Sequence, residues 1–391
     1  MRAIKDSVHD YIELSDVAEA LLDTPLVQRL RHVKQLSTVR LVYPSANHTR
    51  FEHSLGVYHL ADRALENLGI RGQDARAVRA AAILHDVGHG PYGHQTEPVI
   101  RRRLGRHHDE VGPLLNGGPV ASVLADYGLD PARVSRLVAG ESELGQLVAG
   151  ELDVDRMDYL VRDAHHTGVP YGTIDHGRVV RALRVVDGDL ALAAGNVPTA
   201  ESVLVARTLM NATVYRHHVS RIAGTMLERA TERLLDAGAV GPDRFARMTD
   251  AELLGALRDC PATADTARRL SERDLYKRAI WTPHGEVPDE LLGLDHEESR
   301  QLERRIAADA GIETPSVHLD VPGAPSMPES AARVVVDDEV VALRDHSPLV
   351  EGLRAAQEAQ WRLGVYAPPS VLESVADSAT RVLGLADTAR P

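Results

Sequence analysis

Thiol and aromatic side chains are scarce in this sequence of 391 residues. Cys260 is its one cysteine, and aromatic residues make up 4% of the chain. A single cysteine excludes an intramolecular disulfide framework and a metal centre built from several thiolates. With so few aromatic residues, the core has to be built from Leu, Val, Ala and Ile, and this composition favours helices. The length permits one large core or two unequal ones.

Long apolar runs are also missing. Residues 1–6 are not followed by an apolar stretch, and no run approaches the roughly 18 apolar residues of a membrane-spanning helix. We therefore expect no signal peptide, no membrane anchor and no membrane partner. The prediction for localisation is cytoplasmic.

Basic residues are outnumbered by acidic ones. The chain has 57 Asp and Glu against 44 Lys and Arg, for a formal net charge of −13. Only Lys5, Lys34 and Lys277 are lysines, so nearly all of the positive charge is carried by arginine. Broad binding of nucleic acid requires a positive surface, and this balance disfavours it. The charge balance does not exclude a local basic pocket that binds a smaller anion.

Helical patterns dominate the chain. They predict helices at residues 16–22, 24–36, 50–68, 75–87, 151–164, 199–235 and 250–270, with a short extended piece at 41–44. Alternating apolar residues predict hairpins at 182–194 and 332–343, followed by a helix at 348–360, a strand at 361–366 and a helix at 369–383. Proline and serine become frequent at 314–328. We predict a mainly α protein with a helical domain at 1–310 and a small α+β domain at 311–391.

Histidine and carboxylate residues cluster where one predicted helix ends. His85 and Asp86 follow an apolar helical run, and glycine and proline then break the helix. His53, His85, Asp86 and Asp155, considered as four ligands of one divalent ion, form a mixed nitrogen and oxygen set. Such a set suits Mn, Fe, Co, Ni or Zn and tolerates Mg. The alternative is that each histidine only caps a helix or packs locally, and His89 stays ambiguous between a supporting role and the pocket wall.

Several segments resemble the motifs of a known family in their order. They are DTPLVQRLRHVKQL (23–36), NHTRFEHSLGV (47–57), LHDVGHGPYGH (84–94), LDVDRMDYLVRDAHH (152–166), VYRHHV (214–219) and RDLYKR (273–278). The chain resembles the HD-domain phosphohydrolases, and within them the deoxynucleoside triphosphate triphosphohydrolases related to the SAM-and-HD-domain protein. The resemblance covers roughly the first 280 residues. It implies an HD-domain helical core and a metal-dependent phosphohydrolase that uses one divalent ion.

The resemblance also implies roles for individual residues. His53, His85, Asp86 and Asp155 match the metal ligands of the family. The positions that match its catalytic groups near the scissile phosphate are His94, His108 and the carboxylate Glu97, with His107 as a rival of His108. The positions that match substrate-binding groups are Arg50, Arg156 and Arg207 for phosphate oxygens, Tyr159, Asp163 and Tyr215 for the sugar, and Gln35 for the 3′-hydroxyl.

Some positions depart from the family pattern. Arg156 stands where the family usually has lysine, and Asn211 stands where the SAM-and-HD-domain protein has a histidine near its base pocket. The residues that match its guanine-nucleotide regulatory site are Asp23, Gln28 and Arg31, with Lys5 in place of an asparagine. The resemblance therefore implies a nucleotide substrate, a nucleotide activator and a homo-oligomer as partners, and it leaves the base preference open.

We predict hydrolysis of deoxynucleoside triphosphates to deoxynucleoside and inorganic triphosphate. One alternative keeps the phosphohydrolase and changes the substrate to a nucleoside monophosphate, a cyclic nucleotide or another phosphoester. A second alternative is a nucleotide sensor or assembly module with a degraded site. That reading requires a missing ligand or acid, and the sequence retains both.

Overall fold

The computed structural model describes residues 2–141 and 143–390, and it is mainly helical. The α-helices are α1 Asp16–Leu22, α2 Pro25–Gln28, α3 Arg50–Leu68, α4 Gly72–Leu84, α5 Glu97–Leu104, α6 Gly112–Leu115, α7 Gly118–Asp126, α8 Pro131–Val138, α9 Val154–Thr167, α10 His176–Ala182, α11 Val197–Met210, α12 His218–Asp236, α13 Pro242–Phe245, α14 Asp250–Asp259, α15 Ala264–Glu272, α16 His296–Ala310, α17 Leu343–His346, α18 Leu349–Gln360 and α19 Leu372–Leu383. The predicted fold class is confirmed.

The strands are short and belong to small sheets. They are β1 Ala3–Asp6, β2 Asp10–Glu13, β3 Leu183–Val186, β4 Asp189–Leu192, β5 Lys277–Pro283, β6 His318–Asp320, β7 Arg333–Val336, β8 Glu339–Ala342 and β9 Arg362–Ala367. Strands β1 and β2 pair with each other, and the two larger sheets have the orders β3-β4-β7-β8 and β5-β9-β6. Both predicted hairpins are confirmed. Asp187 and Gly188 have φ of +53° and +85° between β3 and β4, as a two-residue hairpin turn requires.

Strands from both sides of residue 310 share the two larger sheets. In one sheet β4 pairs in parallel with β7, and in the other β9 pairs with both β5 and β6. One large hydrophobic core likewise combines Leu192 with Val334 and Leu343. The division into domains at 1–310 and 311–391 stays a prediction, and its outermost residues, Met1 and Pro391, lie outside the described residues.

Two predicted helices are shorter than their apolar patterns indicate. The helix predicted at 24–36 ends with α2 and a 3-10 turn, Arg29–His32, and the chain is extended at Val33. The Lys34 amide donates to Asp250 and the Gln35 backbone amide donates to the His48 carbonyl, so tertiary contacts replace the helical hydrogen bonds here. The helix predicted at 199–235 is interrupted by the π-helical turn Asn211–Tyr215. The extended piece predicted at 41–44 was wrong, because a 3-10 turn occupies Ser37–Leu41 and a turn follows.

Three helices of the large core end or begin around one point. Helix α3 starts with a capping box, in which Thr49 accepts from the Glu52 amide and Glu52 accepts from the Thr49 amide. Helix α4 ends at Leu84, and His85 and Asp86 follow its last turn directly. Helix α9 begins behind Asp153, whose side chain accepts from the Arg156 amide. Helix α3 packs against both α4 and α9, so their termini meet.

Among the described residues, no helix combines the length and the apolar character that crossing a membrane requires.

Candidate metal and phosphate site

The structure brings the four sequence-predicted ligands together. The Nε2 atoms of His53 and His85 lie 3.3 Å apart. Oδ1 of Asp155 lies 2.9 Å from the first of these nitrogens and 4.0 Å from the second. Oδ1 of Asp86 lies 3.6 Å from His85 Nε2. Two imidazole nitrogens and two carboxylate oxygens therefore converge. His53, His85 and Asp86 lie close enough together to hold a divalent ion, and Asp155 is next to both imidazoles.

The other nitrogen of each imidazole has its own partner. His53 Nδ1 is hydrogen-bonded to Asp158 Oδ2 at 2.8 Å, and His85 Nδ1 donates to the Ala82 carbonyl at 2.9 Å. An acceptor at Nδ1 keeps the proton on that nitrogen and leaves Nε2 with a lone pair for a metal. Both rings are buried, so their orientation is set by the fold. These partners are typical of metal-binding histidines.

The electrostatics of the site favour a cation. Burial by itself lowers the pKa of His53, but hydrogen bonds to Asp155 and Asp158 outweigh it and raise the pKa to about 10. Burial raises the pKa of Asp86, yet Arg50 and the neighbouring histidines hold that pKa well below its usual range. The carboxylates thus stay charged and draw a proton onto a histidine. A bound divalent ion supplies the same positive charge, so the donor set fits a metal.

Arg50 lies deeper than its predicted role requires. Its Nη1 donates to Asp86 Oδ2 at 2.9 Å, and the arginine is 2% exposed. Asp86 therefore uses one oxygen for the ligand cluster and the other for a buried ion pair. In this arrangement Arg50 orients the carboxylate of Asp86, one of the four proposed metal ligands. Its role in binding phosphate stays a prediction.

Asp158 is the centre of a buried network behind the ligands. Besides its bond to His53, it accepts from Arg162 Nε at 2.8 Å and pairs with His9 Nε2 at 2.6 Å. Arg162 also donates to Asp6 at 2.8 Å. The motifs did not single out these residues, although Asp158 and Arg162 have the four-residue spacing of a helical ion pair. The network ties strand β1 to the metal ligands through one carboxylate.

We expect Gly56→Ala to destabilise the protein although Gly→Ala usually favours a helix. A Cβ atom at Gly56 in α3 would lie 1.8 Å from Asp158 Oδ1, so the methyl group would displace this carboxylate. Overpacking and a disturbed buried ion pair together cost about 3 kcal/mol in the free energy of unfolding. The measurement is urea denaturation followed by circular dichroism.

Gly255→Ala is the matched control for this prediction. Gly255 lies inside α14, and its Cβ would meet nothing within 4 Å. This variant is expected to gain about 0.5–1 kcal/mol from helix propensity alone. Equal stabilisation of both variants would contradict the close packing of α3 against Asp158.

A second group of histidines surrounds Glu97. Glu97 Oε2 lies 2.8 Å from His94 Nδ1, and its Oε1 is hydrogen-bonded to His108 Nδ1. His107 Nδ1 is 3.4 Å from the same Oε1. Because Nδ1 of His94 and His108 faces Glu97, Nε2 is the atom that each ring can offer to a substrate. The structure thus unites the three predicted catalytic residues and keeps His107 as a neighbour.

His89 lies between the two groups. Its Nε2 is 3.3 Å from Asp86 Oδ1, and its ring stacks on His108 with centroids 4.0 Å apart. Burial, together with the charge of Arg50, holds the pKa of His89 well below its ordinary value, so the ring is neutral. His89 therefore contacts Asp86 of the proposed metal site on one side and the rings of His94 and His108 on the other.

Protonation within the Glu97 group follows from its hydrogen bonds. Burial raises the pKa of Glu97, but the bonds from His108 and His94 outweigh it and place the pKa far below the usual range. Burial lowers the pKa of His108, while its bond to Glu97 raises it above the ordinary value. His108 therefore keeps its proton at a higher pH than a free histidine. An imidazolium held by a carboxylate is a suitable general acid.

The sugar-side residues form a separate hydrogen-bonded group. Tyr215 donates to Asp163 Oδ2 at 2.8 Å, and His48 Nε2 is 2.7 Å from the other oxygen of Asp163. The rings of Tyr159 and Tyr215 meet edge to face with centroids 6.1 Å apart. His48 was not predicted, although it stands in the same motif as His53. The structure thus places these predicted residues in one group, and each carboxylate oxygen of Asp163 has a hydrogen-bond partner.

The two remaining arginines face a carboxylate from the C-terminal part of the chain. Arg156 is anchored by the carbonyls of Gly150 and Glu151 and by Asp153, and its Nε lies 3.4 Å from Glu329 Oε1. Nη1 of Arg207 contacts the same oxygen. Residue 329 falls outside the motifs, and nothing in its local sequence indicates this contact.

The remaining predicted positions belong to the first 35 residues of the chain. The backbone amide of Gln35 donates to the His48 carbonyl at 3.1 Å. The side-chain Oε1 of Gln35 is buried without a hydrogen-bond partner among the described residues. Gln28 Oε1 accepts from Arg31 at 2.8 Å, and Asp23 pairs with Arg2 at 3.4 Å. Lys5 pairs with the exposed Asp10. These contacts leave the activator role of this surface a prediction.

Curated proteins of two kinds are similar to this chain. An uncharacterized protein of Methanocaldococcus jannaschii is 31% identical over 389 residues, which cover 97% of this chain and 82% of that protein. The deoxynucleoside triphosphate triphosphohydrolase SAMHD1 of Homo sapiens is 27% identical over 382 residues, which cover 82% of this chain and 60% of that protein. The chain thus spans less than two thirds of the human relative.

Solved structures and family profiles agree with these relatives. A hypothetical protein from Aquifex aeolicus matches with a TM-score of 0.78 and 26% identity, over 96% of this chain and 99% of the other. A phosphohydrolase from Bacteroides thetaiotaomicron shares the fold, with a TM-score of 0.76 over 94% of this chain and 100% of that one. The HD domain profile matches residues 50–163, and the HD associated region matches residues 174–390. The resemblance is thereby confirmed: the chain belongs to the family of HD-domain phosphohydrolases.

Proposed function

We propose that this protein hydrolyses deoxynucleoside triphosphates to deoxynucleoside and inorganic triphosphate. The observation that carries the proposal is the contact through His89, which joins the four-ligand cluster to the acid group around Glu97. One group can hold the ion that a phosphoryl transfer needs, and the other can deliver a proton to a leaving oxygen. The name of the human relative supports the choice of substrate.

The ligand cluster is proposed to hold one divalent ion. His53, His85, Asp86 and Asp155 would bind it, and Asp158 and Arg50 keep two of these ligands in place. When bound, such an ion polarises a phosphoryl oxygen and offsets the negative charge of the transition state. The chain itself provides fixed ligand orientation, because three of the four ligands are buried.

The Glu97 group is proposed to handle the proton. In the reaction a water oxygen forms a bond to the α-phosphorus, and the bond between that phosphorus and the 5′-oxygen of the sugar breaks. The 5′-oxygen takes a proton from Nε2 of His94 or His108 and leaves as the deoxynucleoside hydroxyl. The attacking water releases a proton to the solvent, and the donor ring is reprotonated from the solvent. Glu97 holds the donor ring at Nδ1 and stabilises its protonated form.

The proposal is tested with a product assay on the purified protein. It is incubated with each of the four deoxynucleoside triphosphates and Mn²⁺, with and without GTP, and the products are separated by ion-exchange chromatography. We expect inorganic triphosphate and deoxynucleoside in equal amounts. If none of the four yields triphosphate under either condition, the proposed substrate class is wrong.

A second candidate is a phosphoester of another kind, such as a nucleoside monophosphate or a cyclic nucleotide. It is favoured by the buried ion pair of Arg50 with Asp86, which leaves one arginine fewer for a triphosphate. Ribonucleotides, monophosphates and cyclic nucleotides therefore belong in the same assay. Orthophosphate released from monophosphates, with triphosphates intact, would favour this candidate.

A further inference from the structure

Glu329 is a buried carboxylate with an unusual position. It lies in the short 3-10 turn Pro328–Ala331 and is 1% exposed. Its Oε1 contacts Arg207 Nη1 and lies 3.4 Å from Arg156 Nε, so one oxygen faces both arginines of the proposed phosphate site. A carboxylate in this place carries the same sign of charge as a substrate phosphate.

The three charged groups are close together and shielded from water. Arg207 Nη1 and Arg156 Nε both face Glu329 Oε1, and the Glu329 side chain is buried. Guanidinium groups bind planar carboxylates and phosphates with the same donors. A phosphate oxygen placed here would therefore compete with the carboxylate for the same two arginines.

We propose that Glu329 is an internal competitor for Arg156 and Arg207 and that it sets how strongly the site holds the phosphate chain of its substrate. This inference rests on the proposed function. Arg156 also pairs with Asp153, and Glu329 faces the guanidinium groups of both arginines. A phosphate chain must displace the Glu329 carboxylate to reach both arginines. Glu329 is thus a specificity-determining residue, because only a substrate whose phosphate chain carries enough negative charge competes well for both arginines.

Arg156 does not depend on Glu329 for its position. Its Nη1 donates to the Gly150 carbonyl at 2.9 Å and lies 3.3 Å from Asp153 Oδ2. If the charge of Glu329 is removed, these contacts still hold the guanidinium at the site. The Glu329→Gln variant is therefore expected to free positive charge without collapsing the pocket.

The turn that carries Glu329 has its own anchors. Met327 and Ala332 are buried in the large core, and Ser330 Oγ accepts from Arg354 at 3.1 Å. Within the turn, the Ser330 amide donates to the Met327 carbonyl and the Ala332 amide donates to the Glu329 carbonyl. Displacement of the carboxylate should loosen these two amides, so phosphate binding is linked to the C-terminal part of the chain.

The test is a binding measurement with sodium tripolyphosphate by isothermal titration calorimetry. Glu329→Gln is expected to bind about tenfold more tightly than the wild type, because a charge-assisted contact no longer competes. Glu339→Gln, with the same change at an exposed position of β8, should bind like the wild type. Unchanged or weaker binding by Glu329→Gln, equal tightening in both variants, or no binding by any of the proteins would each overturn the proposal.

Hydrogen exchange of the wild type gives a second measurement that needs no variant. Adding tripolyphosphate should speed exchange at the amides of Ser330 and Ala332, and unchanged or slower exchange at both overturns the proposal. Turnover of deoxynucleoside triphosphates is assayed on the same samples. Failure of turnover would remove the proposed function, while the comparison of binding affinities still decides the role of Glu329.

Discussion

The His85→Ala variant is expected to lose its bound metal and to hydrolyse the preferred phosphoester on the order of 10³-fold more slowly than the wild type, since the ion supplies several kcal/mol of charge stabilisation. His85 provides one of two imidazole nitrogens in the cluster, 3.3 Å from the other. Its removal leaves a histidine and two carboxylates. Metal content is measured by plasma mass spectrometry on the same protein that is assayed for turnover.

Thermal melting separates loss of the ion from loss of the fold. A ligand that binds only the folded state raises the melting temperature, so added Mn²⁺ should stabilise the wild type. The same addition should leave His85→Ala nearly unchanged. His346→Ala, an exposed histidine of α17, is the matched control and should keep metal, turnover and stabilisation. A His85→Ala protein with a full equivalent of metal and normal turnover would refute the ligand assignment.

The convergence of the four proposed ligands was predictable because each lies in a short motif whose local structure is decided by near neighbours. His85 and Asp86 follow an apolar helix that glycine and proline end, and Thr49 and Glu52 start the helix that carries His53. Such signals are local, so they survive without knowledge of the tertiary structure. The family resemblance then supplied the pairing of these segments with Asp155.

The supporting contacts were not predictable in the same way. Its motif led to the prediction that Arg50 binds phosphate oxygens. In the structure Arg50 is buried and pairs with Asp86, and burial depends on the tertiary structure. Glu329 reaches Arg156 and Arg207 from a segment that follows them by more than 100 residues and has no motif of its own. The helix predicted at 24–36 failed for a related reason, because the backbone amides of Lys34 and Gln35 donate to distant residues. Long-range polar contacts leave little trace in sequence patterns.

His94→Ala is expected to lower turnover by about 10²–10⁴-fold while the protein keeps its metal, which is the range for loss of a positioned acid–base group. His94 lies 2.8 Å from Glu97 and is mostly exposed, so its Nε2 can reach a substrate. His107→Ala is the matched control, because His107 contacts the same carboxylate from 3.4 Å. If His107→Ala loses as much turnover as His94→Ala, the catalytic role of His94 has been assigned to the wrong histidine.

The pH profile separates a proton donor from a residue that only shapes the pocket. The charged and titratable groups around His108 are Glu97, His94, His107 and His89, with Asp86 and Arg50 behind them. Glu97 raises the pKa of His108, so the acid form persists as the pH rises and turnover falls only above that raised pKa. Glu97→Gln removes the cause, which lowers the pKa of the donor.

The basic limb of the profile should therefore move to lower pH in Glu97→Gln, by at least about one unit, because a charged hydrogen bond is replaced by a neutral one. Its acidic limb should stay in place, and an ion held by the four proposed ligands should be retained, because the side-chain partners of Glu97 are His94, His107 and His108. A purely structural role would lower turnover equally at every pH. A lower but unshifted profile would thus contradict proton donation by this group, whereas the shift ties the raised pKa of His108 to the chemical step.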